Sequence, residues 1–411
     1  MKVLMLQGYY EPEAVSGLYL VTNLVEDLNK NNHLVDIVTP IPSRGVSDEI
    51  RNEYKNNKKE VNSSGKTTIH RYWMPKEGTN SLLRAFRYLF GGILHVIKSI
   101  KIKSDVIVIN STPPTNGLIG YIVKKIKKIP VVYILQDVFP DSMVTSKMTN
   151  EGSLIWKIGR ALENFTYKNV DEIIVISDDF KKNLMNKGVP KSKIHVVRNW
   201  VDENEIVPIS KKDNILAKEL CLDINKFYVV YAGNLGNAQN IDVILNAAKE
   251  TEFIEDIEYI IFGGGVLEEH YKQMALDMEL KNVKFYPLQP YNMVSHVYSL
   301  GDVSIVSCKE GFGTSAMPSK TWSIMSTGTA VVANYDENTE LQSIIEENDL
   351  GIFTKAGEVE QLKEAIIKLY NDKELCKEMG NRGRQYILDN LSRKSQIEKY
   401  INVLNLTIGE Y

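Results

Sequence analysis

Short runs rich in Val, Ile, Leu and Tyr alternate with longer helical patterns along nearly the whole chain. Apolar β-branched runs without polar alternation suit strands that are covered on both faces of a parallel sheet. In the first half these runs are Val3–Leu6, Leu34–Thr39, Thr67–Trp73, Asp105–Asn110, Val131–Leu135, Glu172–Ile176 and Ile194–Val197. In the second they are Phe227–Tyr231, Glu258–Phe262, Val283–Tyr286, Val303–Val306, Ala330–Ala333 and Gly351–Phe353. Strand–helix repetition of this kind predicts an α/β chain of two doubly wound, Rossmann-like domains. The boundary is expected near Asn199–Glu205, giving domains over 1–200 and 201–391, with a last helix in 392–411 returning to the first. The polar stretch 44–66 reads as a mobile loop or frayed helix.

Two Gly-rich loops punctuate the second half. One is Gly233-Asn234-Leu235-Gly236, the other Glu310-Gly311-Phe312-Gly313, followed by Pro318-Ser319-Lys320. Each lies between a strand-like and a helix-like run. Glycines let the backbone approach a ligand, and helix N-termini present N–H groups to an anion. A pair of such devices suggests a diphosphate gripped from two sides. Ligands of doubly wound sheets bind beyond the carboxyl ends of the strands, so the site is expected in a cleft between the two domains.

The net charge of −3 hides a division. Residues 1–200 carry 29 basic and 19 acidic side chains, the remainder 20 and 33, so a basic half precedes an acidic one. No nucleic-acid-binding motif accompanies the basic half, and an anionic membrane surface is the better partner. Three separated cysteines show no metal spacing or disulfide framework. No run is long and apolar enough for a signal peptide or a membrane span, so the expectation is a cytoplasmic protein, peripheral to the inner face of the membrane.

The ordered motifs Tyr10-Glu11-Pro12-Glu13, Ser16-Gly17, Ser111-Thr112-Pro113-Pro114, Gln136-Asp137-Val138-Phe139-Pro140-Asp141, Asn199-Trp200-Val201-Asp202, Gly233–Gly236, Phe262-Gly263-Gly264-Gly265, Glu310–Gly313 and Pro318-Ser319-Lys320 span nearly the whole chain. In order and spacing they resemble retaining glycosyltransferases of the GT-B fold in glycosyltransferase family 4. The likeness is greatest to enzymes of bacterial surface-polysaccharide assembly such as N-acetyl-fucosamine transferases. The chain departs from the family at three places. Asn234 and Gln239 stand where members commonly carry Arg and Lys, Ser323 where many carry a ribose-binding Glu, and Gln136 where many carry His.

The resemblance implies a nucleotide-diphosphate sugar donor, UDP-linked by preference, bound by the second domain without metal or other cofactor. The sugar is expected to be an N-acetylated amino sugar, and the acceptor a lipid-linked glycan of O-antigen or capsule synthesis. It assigns donor contacts to Gly233, Asn234, Gly236, Gly264, Gly311, Phe312, Gly313, Ser319 and Ser323. Glu310 would accept from sugar hydroxyls while the glycines beside it expose N–H groups. Ser319 is expected to cap a helix running to Thr327, with Lys320 aimed at the phosphates. Asp137, past a buried strand end, could orient the acceptor or take its proton. Gly17 and Gln136 belong to the acceptor side. Ser177-Asp178-Asp179 reads as a helix cap rather than a metal site.

Leu82–Lys103 mixes bulky apolar residues with cations and has no acid. Arg84, Arg87, Lys98 and Lys101 are therefore expected at an anionic lipid surface, with Lys124-Lys125-Ile126-Lys127-Lys128 as a second basic cluster. Two alternatives remain from the residues alone. One is a non-catalytic scaffold of a polysaccharide assembly complex, the other a nucleotide-sugar epimerase on the same fold.

Overall fold

The structure is a computed structural model that describes all residues except 14, 16, 77–80, 146–147, 314–316 and 410–411, and no side chains for 81–85 and 145. The chain divides into unit 1, Met1–Arg198 with Gln396–Tyr411, and unit 2, Asn199–Ser395.

Unit 1 holds β1 (Lys2–Leu6), β2 (Leu34–Pro40), β3 (Lys59–Val61), β4 (Thr67–Tyr72), β5 (Val106–Asn110), β6 (Val131–Leu135), β7 (Glu172–Val175) and β8 (Ile194–Val196). Its helices are α1 (Leu18–Lys30), α2 (Asp48–Asn56), α3 (Ser81–Ile100), α4 (Asn116–Lys127), α5 (Asp141–Thr145), α6 (Leu154–Asn169) and α7 (Asp178–Asn186). The strand order is β3-β4-β2-β1-β5-β6-β7-β8, parallel except for the β3–β4 pair. The predicted first-half runs are all strands.

Unit 2 holds β9 (Phe227–Asn234), β10 (Ile257–Gly264), β11 (Val283–Pro287), β12 (Val303–Ser307), β13 (Ala330–Tyr335) and β14 (Gly351–Lys355). Its helices are α8 (Ile215–Glu219), α9 (Ile241–Glu250), α10 (Glu268–Asp277), α11 (Val294–Tyr298), α12 (Lys320–Ser326), α13 (Glu340–Glu347), α14 (Val359–Asn371) and α15 (Lys373–Tyr386). The all-parallel order is β11-β10-β9-β12-β13-β14. Two apolar layers cover the sheet: Trp322, Tyr298 and Phe262 belong to one, Ile244, Tyr259 and Leu362 to the other. The last helix, α16 (Arg393–Ile408), enters unit 1, where Tyr400, Val403 and Leu404 are buried and Gln396 accepts the Arg198 N–H at 3.1 Å.

The stretch 44–66 is ordered, contrary to expectation. Ser47 caps α2 through the Ile50 N–H, and buried Arg51 donates to the Pro42 and Met74 carbonyls at 2.6 and 2.5 Å. β3 is a polar edge strand, so no apolar run announces it. It is held by pairing with β4 and by the Arg71–Glu60 ion pair at 2.5 Å.

Both sheets have a switch point where successive strands leave in opposite directions. In unit 1 it lies between β1 and β5, in unit 2 between β9 and β12. Such points open a crevice at the carboxyl ends of the strands.

Candidate functional site

The two Gly-rich loops of unit 2 meet at its switch point. The Lys309 N–H donates to the Ala238 carbonyl at 2.9 Å, and the Ser307 hydroxyl to the Gln239 carbonyl at 2.6 Å. β9 and β12 pair only through Val229–Val303 and Val230–Ser304, so beyond those residues the strands end in the joined loops.

Lys320 opens α12, and its amine reaches back over β9. Nζ lies 3.1 Å from the Tyr231 hydroxyl and 4.2 Å from the centre of that ring. The Tyr231 hydroxyl in turn donates to the Asn234 carbonyl at 2.9 Å. Gly233 makes room for the amine: a Cβ there would stand 2.8 Å from Nζ, and its φ of +148° disfavours other residues. Lys320 is partly exposed as a residue, but its amine is enclosed, and desolvation pulls it down to about 8. No acidic neighbour offsets that burial among the described residues. On α12, Thr321, Trp322, Ile324, Met325 and Ser326 are buried, so Ser319, Lys320 and Ser323 form its open side.

The Gly311 and Gly313 N–H groups are not free, contrary to expectation. Both are taken by the Asp336 carboxylate, at 3.0 Å to Oδ1 and 2.7 Å to Oδ2. Asp336 follows β13, and by holding both glycines it fixes the loop between them. Phe312 packs against the unit 2 core, while Glu310 stays exposed. Ser319 precedes α12, but its hydroxyl makes no capping bond. Gly264 is half-buried, and the Leu235 N–H donates to its carbonyl at 3.0 Å. A Cβ on its neighbour Gly263 or Gly265 would strike Leu235, so these two serve the packing of one loop on the other. The Asn234 amide donates weakly to Gln239, at 3.4 Å, and Gly236 lies close against both side chains.

In unit 1 a pocket opens at the corresponding strand ends. Gly8 and Tyr9 after β1, Met74 after β4, Pro113 after β5, and Arg87, Tyr88 and Gly91 from α3 line it. Beneath it, buried Glu13 accepts the Tyr10, Ser43 and Arg44 N–H groups at 3.2, 2.8 and 3.0 Å. His95 is buried against the Gln7 and Val38 carbonyls and pulled down to about 4, so it is a neutral structural donor. Gly17 precedes α1 with a φ of +75°. The Gln136 N–H donates to the Ser111 hydroxyl at 3.2 Å. The outer edge of Asp137 is exposed, yet its carboxyl is poorly solvated. That desolvation, chiefly, raises its pKa against the Ser142 hydroxyl bond at 3.1 Å, and the like charge of nearby Asp141 adds to the rise. Asp141 itself pairs with Lys187 at 2.8 Å and with Arg160. Ser177 caps α7 through the Phe180 N–H, the helix-cap reading.

Arg87 is a correction. It is only 5 % exposed and donates to the Pro75 carbonyl at 3.0 Å and the Ser43 hydroxyl at 2.9 Å. It lies on the inward face of α3, where no lipid surface reaches it. Lys98 and Lys101 are exposed, and the Arg84 side chain lies outside the described residues. Sequence reasoning missed Tyr231 and Asp336. Tyr231 looked like an ordinary strand residue, and the one available signal for Asp336 was an acid immediately past a buried strand.

Comparison with known proteins places these features. The family model for Glycosyltransferase Family 4 matches residues 19–205, and that for Glycosyl transferases group 1 matches residues 214–386. WbjE of Pseudomonas aeruginosa, a probable glycosyltransferase by its name, is 24 % identical over 284 residues, covering 67 % of this chain and 70 % of its own. WcaI of Escherichia coli strain K12, named for colanic acid biosynthesis, is 25 % identical over 282 residues, 68 % of each chain. The crystal structure of Anabaena Alr3699/HepE with UDP has the same fold, with a TM-score of 0.73 at 14 % identity over 98 % of this chain and 100 % of that one.

Proposed function

Starting from a chain that is a GT-B glycosyltransferase of the family 4 type, we propose that it moves a sugar from a UDP-linked donor to a lipid-linked glycan in surface-polysaccharide assembly. One observation carries the donor reading. The enclosed Lys320 amine has no acidic neighbour, and it sits where the two Gly-rich loops of unit 2 join. A desolvated cation of this kind gains most from an anion that arrives with the ligand. A diphosphate fits, because negative charge grows on it as the sugar departs. The similar fold that binds UDP, and relatives named for polysaccharide synthesis, favour the base and the setting.

In the proposed step the acceptor hydroxyl oxygen forms a bond to the anomeric carbon as the bond from that carbon to the diphosphate breaks. The hydroxyl proton passes to the leaving phosphate on the same face, so the configuration is retained. Lys320 holds the phosphate charge, and no metal is required. Glu310 accepts from sugar hydroxyls, and the loop clamped by Asp336 sets its position. Asp137 is the acceptor-side carboxylate in unit 1, with a raised pKa that suits transient proton binding. An assay with labelled UDP-sugars, lipid-linked glycan and a chelator tests this. Chelator-insensitive transfer supports it. UDP binding without any turnover supports the scaffold alternative.

A further inference from the structure

Two helices of unit 1, α3 and α6, turn polar side chains inward and apolar ones outward, and a third, α4, adds an outward apolar row. On α3 the inward positions hold Arg87, His95 and Ser99, each at most 5 % exposed. Its outward stripe is Phe86, Leu89, Ile93, Ile97 and Ile100, between 43 and 64 % exposed. On α6, Glu163 and Thr166 point inward while Leu154, Ile155 and Ile158 are 57 to 74 % exposed. On α4, Leu118, Ile122 and Ile126 form a third outward row. A water-facing helix normally has the opposite polarity.

The rows form one face. A Cβ on Gly92 of α3 would meet Ile119 of α4, and one on Gly117 of α4 would meet Thr166 of α6. Tyr121 and Phe165 bridge α4 and α6 with ring centres 5.0 Å apart. Contiguous apolar surface of this extent marks an interaction site. The exposed charges on its three helices are one-sided. α3 and α4 contain no acid, and the one acid of α6, Glu163, is buried with Lys187 and Arg160. Lys98, Lys101, Lys125, Lys128 and Lys157 are exposed around the face.

We infer that the face of α3, α4 and α6 seats on an anionic lipid bilayer, with the apolar rows in the acyl region and the lysines at the phosphates. The one-sided charge selects this occupant. Two copies meeting through the face would oppose lysine rim to lysine rim, because a two-fold contact uses the same patch twice. Among the described residues no helix is long and apolar enough to cross a membrane, so the helices lie along the surface rather than span it. The sequence points to one mixed apolar and basic segment, Leu82–Lys103, and the structure joins it to α4 and α6. In this inference the apolar rows hold the face in the bilayer by contacts that salt does not screen. The inference deepens the lipid-linked acceptor reading, on which it rests for its purpose. α3 lines the unit 1 pocket with its inward face and the bilayer with its outward one.

Flotation of the full-length protein with vesicles tests it, using phosphatidylcholine alone or with phosphatidylglycerol. Wild type should float with the anionic vesicles and stay bound in large part at about 0.5 M salt. A triple variant with one substitution per helix, Ile93→Ser, Ile122→Ser and Ile158→Ser, should weaken flotation by about tenfold or more. These positions are already exposed, so the variant should melt as wild type does and bind UDP equally. Wild type that ignores anionic vesicles overturns the inference, as does a triple variant that floats normally. So does a wild-type dimer that the triple variant dissociates without any vesicle binding. Vesicle binding without UDP binding leaves this face standing and removes the donor reading instead.

Discussion

The Lys320 amine rests 4.2 Å from the centre of the Tyr231 ring and 3.1 Å from its hydroxyl. The ring supplies a partial negative surface, and the hydroxyl passes a hydrogen bond on to the Asn234 carbonyl. Neither partner neutralises the charge. The amine is thereby positioned without being satisfied, which is the arrangement expected of a cation held ready for a phosphate.

Activity should therefore fall as pH rises. Burial brings the Lys320 amine down to about 8, so in the free enzyme it loses its charge above that value. The kcat/KM for donor should decline through about pH 8, and the Lys320→Arg variant should lack this limb, because guanidinium stays charged. Folding has the opposite sign. Between about 8 and the ordinary 10.5 the unfolded chain binds a proton that the folded chain does not, so Lys320 contributes stability that increases with pH over that window. pH-rate profiles and melts of wild type and variant check both signs.

Gly233→Ala should damage donor binding more than folding. The new Cβ would stand 2.8 Å from Nζ and push the amine off Tyr231. The backbone strain at a φ of +148° should cost on the order of 1–3 kcal/mol. Titration with UDP should show binding weakened by about tenfold or more in a protein that still melts cooperatively.

Asp336 positions rather than reacts. Asp336→Ala removes the acceptor of two N–H groups and should cost about 1–2 kcal/mol of stability. It should also raise the donor KM by about tenfold as the Glu310 loop loosens. Asp336→Asn keeps one carbonyl acceptor and should recover part of both losses. Equal KM in all three proteins would remove the loop clamp from the account.

Asp137 should set an acid limb. Desolvation, chiefly, raises its carboxyl pKa, so it takes up a proton at a higher pH than an ordinary aspartate. A decline of kcat on acidification, absent from the residual activity of Asp137→Asn, is the expected profile. The poorly solvated carboxylate gains little from its charge, so the neutral amide should melt as wild type does or higher.

The architecture was legible because the strands of both sheets are buried apolar runs, and burial on two faces leaves a continuous signature. β3 was not, because an edge strand reading Lys-Glu-Val depends on its partner and on Arg71 for its place. Within the site, Gly233 and Lys320 could be singled out from glycine punctuation and a cation after Pro318-Ser319. Their contact could not, since it joins positions 87 residues apart through a strand tyrosine. Asp336 was invisible for a related reason. The glycines it serves advertise free N–H groups, and only the fold shows those groups already taken. Arg87 misled because its cation sits in an apolar segment, and α3 turns that one charge inward while its neighbours face out.

The central claim is that unit 2 binds a nucleotide diphosphate through Lys320, and calorimetric titration of UDP with chelator present tests it most directly. Wild type should bind, and Lys320→Met should bind at least about tenfold more weakly while melting at the same temperature or higher, because a desolvated charge has been removed. Equal UDP affinity in the two proteins, with both folded, would contradict the account.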